Sequence, residues 1–309
     1  MKTLINPGKE RRSINFMDNI PFSKVKNLNG EEITLYMSLS LQNGNSEMRL
    51  ADGRDDEVST GKQPVILWIN GAGWRKCDKN LMSSEMQFLA EAGYALACVE
   101  YRDTDRGIWP AQLLDVKTAV RFLRANADLY GLDADRIGVI GRSAGGMLAS
   151  WMAMNTEGFD GEEYKAYSSE VQVAVDMFGP VDITACYDAN AARFSDPAYR
   201  WHRPSETHEG ALLGGDEETM RQRSFQASCI HYISDKTCPI TILHGDQDPI
   251  VSISMSDDFY KRLCDHGLAD QTDYYVVHNG GHGTREFFQK ETKDVILSAF
   301  DKVLRNNES

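Results

Sequence analysis

Strand-length runs of mostly apolar residues recur along the chain from residue 65 to residue 277. They lie at 65–69, 95–99, 137–140, 171–178, 240–243 and 274–277. Helical patterns separate them, at 81–92, 111–130, 144–154, 252–264 and 284–304. A strand that is covered on both faces is apolar throughout, and parallel strands need long crossover connections. The pattern therefore predicts an α/β fold with a mostly parallel central sheet and helices on both faces.

The chain before the first of these runs has a different pattern. Asn29-Gly30 lies between two stretches rich in strand-forming residues, which is a hairpin signal. We therefore expect an antiparallel edge at the N-terminal side of the sheet. The segment 44–61 is rich in glycine, serine and charge, which is typical of a long exposed loop.

The segment between residues 178 and 240 is long, lacks strong periodicity and is rich in aromatic and charged residues. Its position follows a strand at the edge where open α/β sheets bind ligands. We predict one domain over 1–309, with a cap-like insertion at about 182–233 beside a substrate pocket. The candidate pocket residues are Trp74, Tyr199, Trp201 and His202. The alternative is that these aromatic side chains only pack the insertion onto the domain.

Composition narrows the partners of the protein. The chain has 309 residues, and 33 basic against 46 acidic side chains give a net charge of −13, which argues against binding to nucleic acid or anionic membranes. We find no signal-peptide pattern or membrane-length apolar run, so we expect a cytoplasmic protein with a small-molecule substrate. The six cysteines are scattered without metal-ligand spacing, and we expect no metal and no organic cofactor. A homo-oligomer stays open.

One apolar run ends abruptly in a glycine-bounded serine, "IGVIGRSAGG" at 137–146. A serine in a sharp strand-to-helix turn has a strained backbone, and side chains at the flanking positions Gly141 and Gly145 would clash there. Such a turn raises the hydroxyl of Ser143 above the edge of the sheet, which makes it a candidate nucleophile. The alternative interpretation is an ordinary turn with a helix-capping serine.

A serine nucleophile needs a base, and that base needs a carboxylate to fix its tautomer. In "HGDQDPIV", Asp248 lies in the loop that follows the strand at 240–243 and is our candidate for the acid of the triad. Asp246 is the alternative carboxylate. In "HNGGHG", a glycine-rich loop places His282 before the last helix, with His278 as the rival base. The order Ser, Asp, His along the chain has a known catalytic use.

The loop in "WINGAGWRK" follows the first parallel run and carries minimal side chains. Its N–H groups are candidate donors to the oxyanion of a tetrahedral intermediate. We assign this role to the N–H groups of Ala72 and Gly73, with that of Ala144 at the helix N-terminus as the third. The alternative is a glycine-rich turn with no role beyond its backbone angles.

These residues resemble the α/β-hydrolase superfamily, and within it the carboxylesterases related to hormone-sensitive lipase and to bacterial feruloyl and acetyl-xylan esterases. The likeness extends from about residue 65 to residue 282, over "NGAGW", "VEYRD", the serine motif, "HGDQDPIV" and "GGHG". It implies a triad of Ser143, Asp248 and His282, and an oxyanion hole made by the loop and the helix. Asn70 and Ala72 stand where the family usually has His and Gly.

The resemblance also implies a function, a serine carboxylesterase for short-chain acyl esters such as acetyl or feruloyl groups on plant-derived sugars. An amidase or aryl formamidase, a small peptidase and a non-enzymatic ligand receptor are the alternatives on the same scaffold. Arg142 inside the serine motif is unusual. A solvated or salt-bridged side chain is the ordinary interpretation, and the alternative is that Arg142 favours an anionic or sugar-bearing leaving group.

Overall fold

The computed structural model describes residues 2–5, 12–42 and 61–305. The predicted exposed loop at 44–61 lies outside the described residues except for Gly61. Within the described ranges, the strands are β1 (Ile14–Lys26), β2 (Glu32–Gln42), β3 (Gln63–Ile69), β4 (Ala95–Val99), β5 (Leu132–Arg142), β6 (Val173–Met177), β7 (Ile240–Gly245) and β8 (Thr272–Val277). They form one sheet in the order β1-β2-β4-β3-β5-β6-β7-β8.

Strand directions confirm the predicted mostly parallel sheet with an antiparallel N-terminal edge. β1 pairs with β2 and β2 with β4 in antiparallel fashion, and the remaining pairs are parallel. The hairpin turn falls at the predicted place, where Gly30 has a φ of 81°. β3, β4, β6 and β7 are buried along their whole length, as continuous apolar strands covered on both faces must be.

The α-helices of the described residues are α1 (Ser83–Glu91), α2 (Ala111–Ala125), α3 (Ala127–Tyr130), α4 (Ala144–Ala153), α5 (Ile183–Ala191), α6 (His208–Leu213), α7 (Glu217–Ala227), α8 (Ile253–Asp265) and α9 (Lys290–Leu304). Two predicted helices need correction. The helix at 111–130 breaks at Asn126, whose side chain donates to the Phe122 carbonyl at 2.8 Å. The helix at 284–304 begins with a separate 3₁₀ turn, Arg285–Phe288.

The sheet divides the core into two apolar layers, as alternate side chains of β3 show. Val65 and Leu67 belong to the layer that includes α2, α4 and α8. Ile66 and Trp68 belong to the opposite layer, with α1 and α9. Helices therefore cover both faces, as the pattern of apolar runs predicts.

Between β6 and β7, residues 182–233 contain α5, α6 and α7, and we call this segment the helical insertion. Polar caps begin its helices: Asp182, Thr207 and Asp216 each accept a backbone N–H with a side-chain oxygen. The insertion packs on the sheet domain, where the indole of Trp151 donates to the Ala227 carbonyl at 2.7 Å.

Candidate active site

The turn between β5 and α4 forces a serine into a conformation that its neighbours permit only because they are glycines. Ser143 has a φ of 53° and a ψ of −124°. A Cβ on Gly141 would lie 2.0 Å from the Gly145 carbonyl oxygen, and one on Gly145 would lie 2.0 Å from the Ile69 oxygen. The Ser143 N–H donates to the Met177 carbonyl at 2.9 Å, which ties the turn to β6.

The structure brings the three predicted triad residues together. His282 Nδ1 lies 2.8 Å from Asp248 Oδ2, and His282 Nε2 lies 2.8 Å from Ser143 Oγ. Because a carboxylate only accepts, Nδ1 carries the proton, and the unprotonated Nε2 accepts the serine hydroxyl. The ring of Phe178 packs against the imidazole at a centroid distance of 4.7 Å. His282 Nε2 is therefore positioned to accept the proton of the Ser143 hydroxyl.

The carboxylate of Asp248 is enclosed and held by several donors. Its side chain has no exposed surface, and its Oδ1 accepts the N–H of Ile250 at 2.8 Å and that of Val251 at 3.1 Å. Burial raises the pKa of Asp248, but interactions with His244 and His282 and the backbone bonds outweigh it and hold the pKa well below its usual value. The acid is therefore ionised at neutral pH.

His244, at the end of β7, is a buried neighbour of this acid that the sequence analysis did not single out. Its Nε2 lies 3.0 Å from the Val251 carbonyl and 3.5 Å from Asp248 Oδ2, and its Nδ1 lies 2.7 Å from Ser256 Oγ. Because the carbonyl only accepts, Nε2 carries the proton and also faces the carboxylate. Its place two residues before Asp246 in "HGDQD" was the available signal.

The rival residues form a separate pair. His278 Nδ1 lies 2.7 Å from Asp246 Oδ2, and 83% of the His278 side-chain surface is exposed. Neither residue reaches Ser143 in the structure, whereas Asp248 and His282 do so as a connected chain. The geometry thus separates the two candidate pairs that the sequence left open.

The loop after β3 has an unusual backbone. Ala72, Gly73 and Trp74 have φ values of 99°, 60° and 56°. Among the described residues, the N–H groups of Ala72, Gly73 and Ala144 have no acceptor. A Cβ on Gly71 would lie 2.9 Å from the Ser143 Cβ, so the loop lies directly against the serine turn. Three free donors therefore lie near the serine, where an oxyanion would need them.

Contacts from three sides fix this loop. The Tyr101 hydroxyl donates to the Asn70 carbonyl at 2.9 Å, and the Asn70 side chain donates to the Asp78 carbonyl at 3.3 Å. The N–H of Thr104 donates to the Trp74 carbonyl at 2.9 Å. Asn70 thus anchors the loop from a fully buried position.

The helical insertion supplies the third side. Arg75 donates to the Thr207 carbonyl at 2.7 Å and to the Glu206 carbonyl at 3.0 Å. The ring of His208 occupies the space beside Gly73, since a Cβ there would lie 2.6 Å from His208 Nδ1. Burial, reinforced by the charges of Arg200 and Arg75, lowers the pKa of His208 and keeps it neutral. His208 is a second site residue that sequence reasoning missed, because no local motif marks it.

The predicted pocket residues occupy different places. Trp74 is 2% exposed and lies in the core, and Tyr199 is buried with its hydroxyl bonded to Asn190. Trp201 is half-buried and lies edge-on to His208 at 5.2 Å, which brings it near the loop. His202 is exposed, with Nδ1 3.4 Å from the Phe194 carbonyl. Of the four, only Trp201 has a ring contact in the described structure with His208, the residue that lies against Gly73.

Within the described ranges, no group of three or more His, Cys, Asp or Glu side chains could hold a metal ion, and the six cysteines are free thiols. No helix in those ranges is both long enough and apolar enough to cross a bilayer.

Comparison with known proteins places these features in a family. Residues 55–263 match the BD-FAE family. The probable carboxylic ester hydrolase LipM of Mycobacterium tuberculosis is 30% identical over 214 residues, which is 68% of this chain and 47% of that protein. Esterase LipC of the same organism is 27% identical over 235 residues, 74% of this chain and 55% of that protein. The chain thus spans about half the length of these curated relatives.

Solved structures share the fold. A truncated form of a carbohydrate esterase from gut microbiota has a TM-score of 0.73 at 24% identity, covering 96% of this chain and 98% of that one. An acetyl ester-xyloside bifunctional hydrolase from Caldicellulosiruptor lactoaceticus has a TM-score of 0.65 at 20% identity, covering 91% and 96%. At such identities the likeness establishes the fold and no more.

Proposed function

Because this chain belongs to the BD-FAE family and has the α/β-hydrolase fold, we propose that it is a serine carboxylesterase that cleaves short-chain acyl esters. The observation that carries the proposal is the hydrogen-bond chain from Ser143 through His282 to Asp248. A serine hydroxyl attacks an ester when an oriented imidazole takes its proton. The free N–H groups beside the serine supply the second requirement, a place for negative charge.

In the first half of the reaction, Ser143 Oγ attacks the ester carbonyl carbon while its proton moves to His282 Nε2. The carbonyl oxygen becomes an oxyanion, which the N–H groups of Ala72, Gly73 and Ala144 bind. Asp248 stays ionised, accepts the hydrogen bond from His282 Nδ1–H and stabilises the imidazolium. Collapse of the tetrahedral intermediate breaks the bond to the alcohol, whose oxygen takes the proton from Nε2, and an acyl-serine remains.

In the second half, water replaces the alcohol. His282 Nε2 takes a proton from the water as its oxygen attacks the acyl-serine, and the same N–H groups bind the second oxyanion. Collapse releases the carboxylic acid, and the proton returns from Nε2 to Ser143 Oγ. The cycle leaves the enzyme unchanged and uses no group beyond this chain and water.

The finer substrate class follows from similarity and is part of the proposal. Two proteins with the same fold are a carbohydrate esterase and an acetyl ester-xyloside bifunctional hydrolase. They support acetyl esters of sugars as substrates, and feruloyl esters are proposed on the sequence resemblance alone. Trp201, half-buried beside His208, offers an aromatic face of the kind that stacks on such groups.

The first prediction concerns the nucleophile. Purified protein hydrolyses p-nitrophenyl acetate, and Ser143→Ala lowers kcat by at least ~10⁴-fold because the acyl-enzyme no longer forms. The matched control is Ser168→Ala, which removes the hydroxyl of an exposed serine and leaves kcat unchanged. Equal turnover by Ser143→Ala and the unsubstituted protein contradicts the proposal. Faster cleavage of p-nitroacetanilide, the corresponding amide, would assign the site to amides instead.

A further inference from the structure

Arg142, the residue before the proposed nucleophile, carries a cation without a counter-ion. Its guanidinium makes no hydrogen bond and no ion pair within the described residues, and its Nε is enclosed with no acceptor. Other partly buried arginines differ: Arg75 binds two carbonyl groups, and Arg102 forms an ion pair with Asp115 at 2.7 Å. The salt-bridged alternative from the sequence is therefore not what the structure has.

Leaving this cation unpaired is energetically unfavourable. A partly buried charge loses hydration, and without a partner nothing in the protein repays that loss. Burial lowers the pKa of the Arg142 guanidinium, which reports the same loss. The chain has 46 acidic residues and a net charge of −13, yet none of the described carboxylates pairs with Arg142. A cation kept free under these conditions is suited to binding an anion from outside.

The guanidinium lies beside the proposed base. Its Cζ is 3.8 Å from the point where a Cβ on Gly283 would lie, and Gly283 directly follows His282. The ring of Phe178 borders the same point at 3.1 Å and also packs against the His282 imidazole. The N-terminus of α4 begins two residues after Arg142 and adds positive potential there.

The position relative to His282 decides which part of a substrate would meet this cation. In the proposed mechanism His282 returns its proton to the alcohol oxygen, so the alcohol half of the ester lies on the His282 side. We propose that Arg142 binds a carboxylate on that alcohol half, which makes acyl esters of acidic sugars, the uronates, the preferred substrates. This inference rests on the proposed esterase function. One planar guanidinium matches one carboxylate by two parallel hydrogen bonds.

The test uses two acetyl esters that differ at one carbon. Acetylated methyl glucuronide has a carboxylate where acetylated methyl glucoside has a hydroxymethyl group, and kcat/KM is measured for both. The glucuronide is expected to be the better substrate, and added salt should reduce the difference. Arg142→Gln should lower the ratio of the two kcat/KM values by about tenfold or more, mainly through KM for the glucuronide. Arg142→Lys, which keeps the charge, should restore part of the ratio.

The control is Arg262→Gln, which removes the same charge from a half-buried arginine on α8 that is paired with Asp258. It should leave the ratio unchanged. If Arg142→Gln does not fold, competitive inhibition of the unsubstituted protein decides: methyl glucuronide should inhibit p-nitrophenyl acetate hydrolysis more strongly than methyl glucoside. An acetylated sugar phosphate preferred over the glucuronide would replace the carboxylate by a phosphate and overturn the assignment.

Other results also overturn it. Three results would each show that Arg142 does not bind a carboxylate of the substrate. They are a kcat/KM ratio near one in the unsubstituted protein, equal inhibition by the two glycosides, and an equal loss of kcat/KM for both esters in Arg142→Gln. Failure of the underlying esterase proposal has a different signature, which is turnover of neither ester or turnover that survives Ser143→Ala. The two failures are therefore distinguishable.

Discussion

At the scale of single residues, the position of the proposed acid depends on a histidine with no direct role in the reaction. Asp248 needs one oxygen free for His282, and the backbone N–H groups of Ile250 and Val251 take the other. His244 completes this arrangement by holding the Val251 carbonyl and facing Asp248 Oδ2 at 3.5 Å. It is a positioning residue: the Val251 carbonyl fixes the proton on Nε2, and Nδ1 then accepts the Ser256 hydroxyl.

We predict that His244→Leu lowers kcat by about 10²-fold with a smaller change in KM, because the acid loop loses its donor and no longer orients His282. His244→Gln, whose amide keeps an N–H, should recover part of kcat. A loss of thermal stability with unchanged kcat would assign His244 to packing alone.

At the scale of elements, the helical insertion contacts the proposed oxyanion loop. Arg75 ties the loop to the start of α6, and the ring of His208 fills the space that Gly73 leaves. Trp201 lies edge-on behind that ring, and the Arg200 guanidinium lies 3.7 Å over the indole. Substitutions in the insertion should therefore alter the selectivity for the acyl group, because they would shift the loop that is proposed to bind the carbonyl oxygen of the ester.

Trp201→Ala should raise kcat/KM for p-nitrophenyl butyrate relative to the acetate by several-fold. Removal of the indole opens space beside His208 and the loop, and larger acyl groups gain from that space. Because Trp201 is only half-buried, we expect the melting temperature to fall by no more than a few degrees. The quantities to measure are kcat/KM over a series of acyl lengths and Tm.

Phe225→Ala provides the matched control for this prediction. Phe225 is an aromatic residue of the same insertion, 55% exposed on α7 and stacked on His231. Its removal should leave the acyl preference unchanged. Equal losses on all esters in Trp201→Ala, together with a large fall in Tm, would mean that Trp201 packs the insertion and does not select the acyl group.

At the scale of the whole molecule, one buried carboxyl joins the elements that carry the site. Asp176 of β6 accepts the Ser150 hydroxyl of α4 and the N–H of Gly179, both at 2.8 Å. β6 lies between β5, which leads to the serine, and β7, which leads to the acid. Burial raises the pKa of Asp176 to about 6, although these two hydrogen bonds act in the opposite direction.

This shift predicts how the free energy of unfolding depends on pH. The pKa in the folded protein is above the value of about 3.9 expected in the unfolded chain, so the folded state binds more protons over that window. Stability is then highest below about pH 4 as far as this group is concerned, and about 3 kcal/mol is lost as the pH rises through about 6. Asp176→Asn, which cannot ionise, should lack this loss.

Urea unfolding at pH 4 and pH 7 measures the effect. Between these pH values, Asp176→Asn should change by about 2 kcal/mol less than the unsubstituted protein, because at pH 4 the unfolded carboxyl is already half ionised and part of the total effect lies below that pH. Asp188→Asn is the control, since Asp188 is exposed and pairs with Arg221 on the surface. A pH dependence that is the same for Asp176→Asn and the unsubstituted protein would show that Asp176 does not titrate in this range.

The sequence by itself determined the elements and the turn that carries the serine. Apolar runs bounded by glycine predicted β4 at its observed bounds, and the Asn29-Gly30 signal predicted the hairpin. These features are local: strand and helix periods reflect burial within one element, and glycines reflect clashes within one turn. The candidates Ser143, Asp248 and His282 came from such turns and from their order along the chain.

The tertiary structure alone decided which side chains meet across elements. It paired Asp248 with His282, and Asp246 with His278. It placed His244 beside the Asp248 carboxylate and the His208 ring beside Gly73. It also left the Arg142 guanidinium without a hydrogen-bond partner among the described residues. It also buried Trp74 and Tyr199, which the sequence assigned to a pocket. The physical reason is that contacts between residues far apart in the chain depend on how the elements pack, and a local pattern of polar and apolar positions does not encode them.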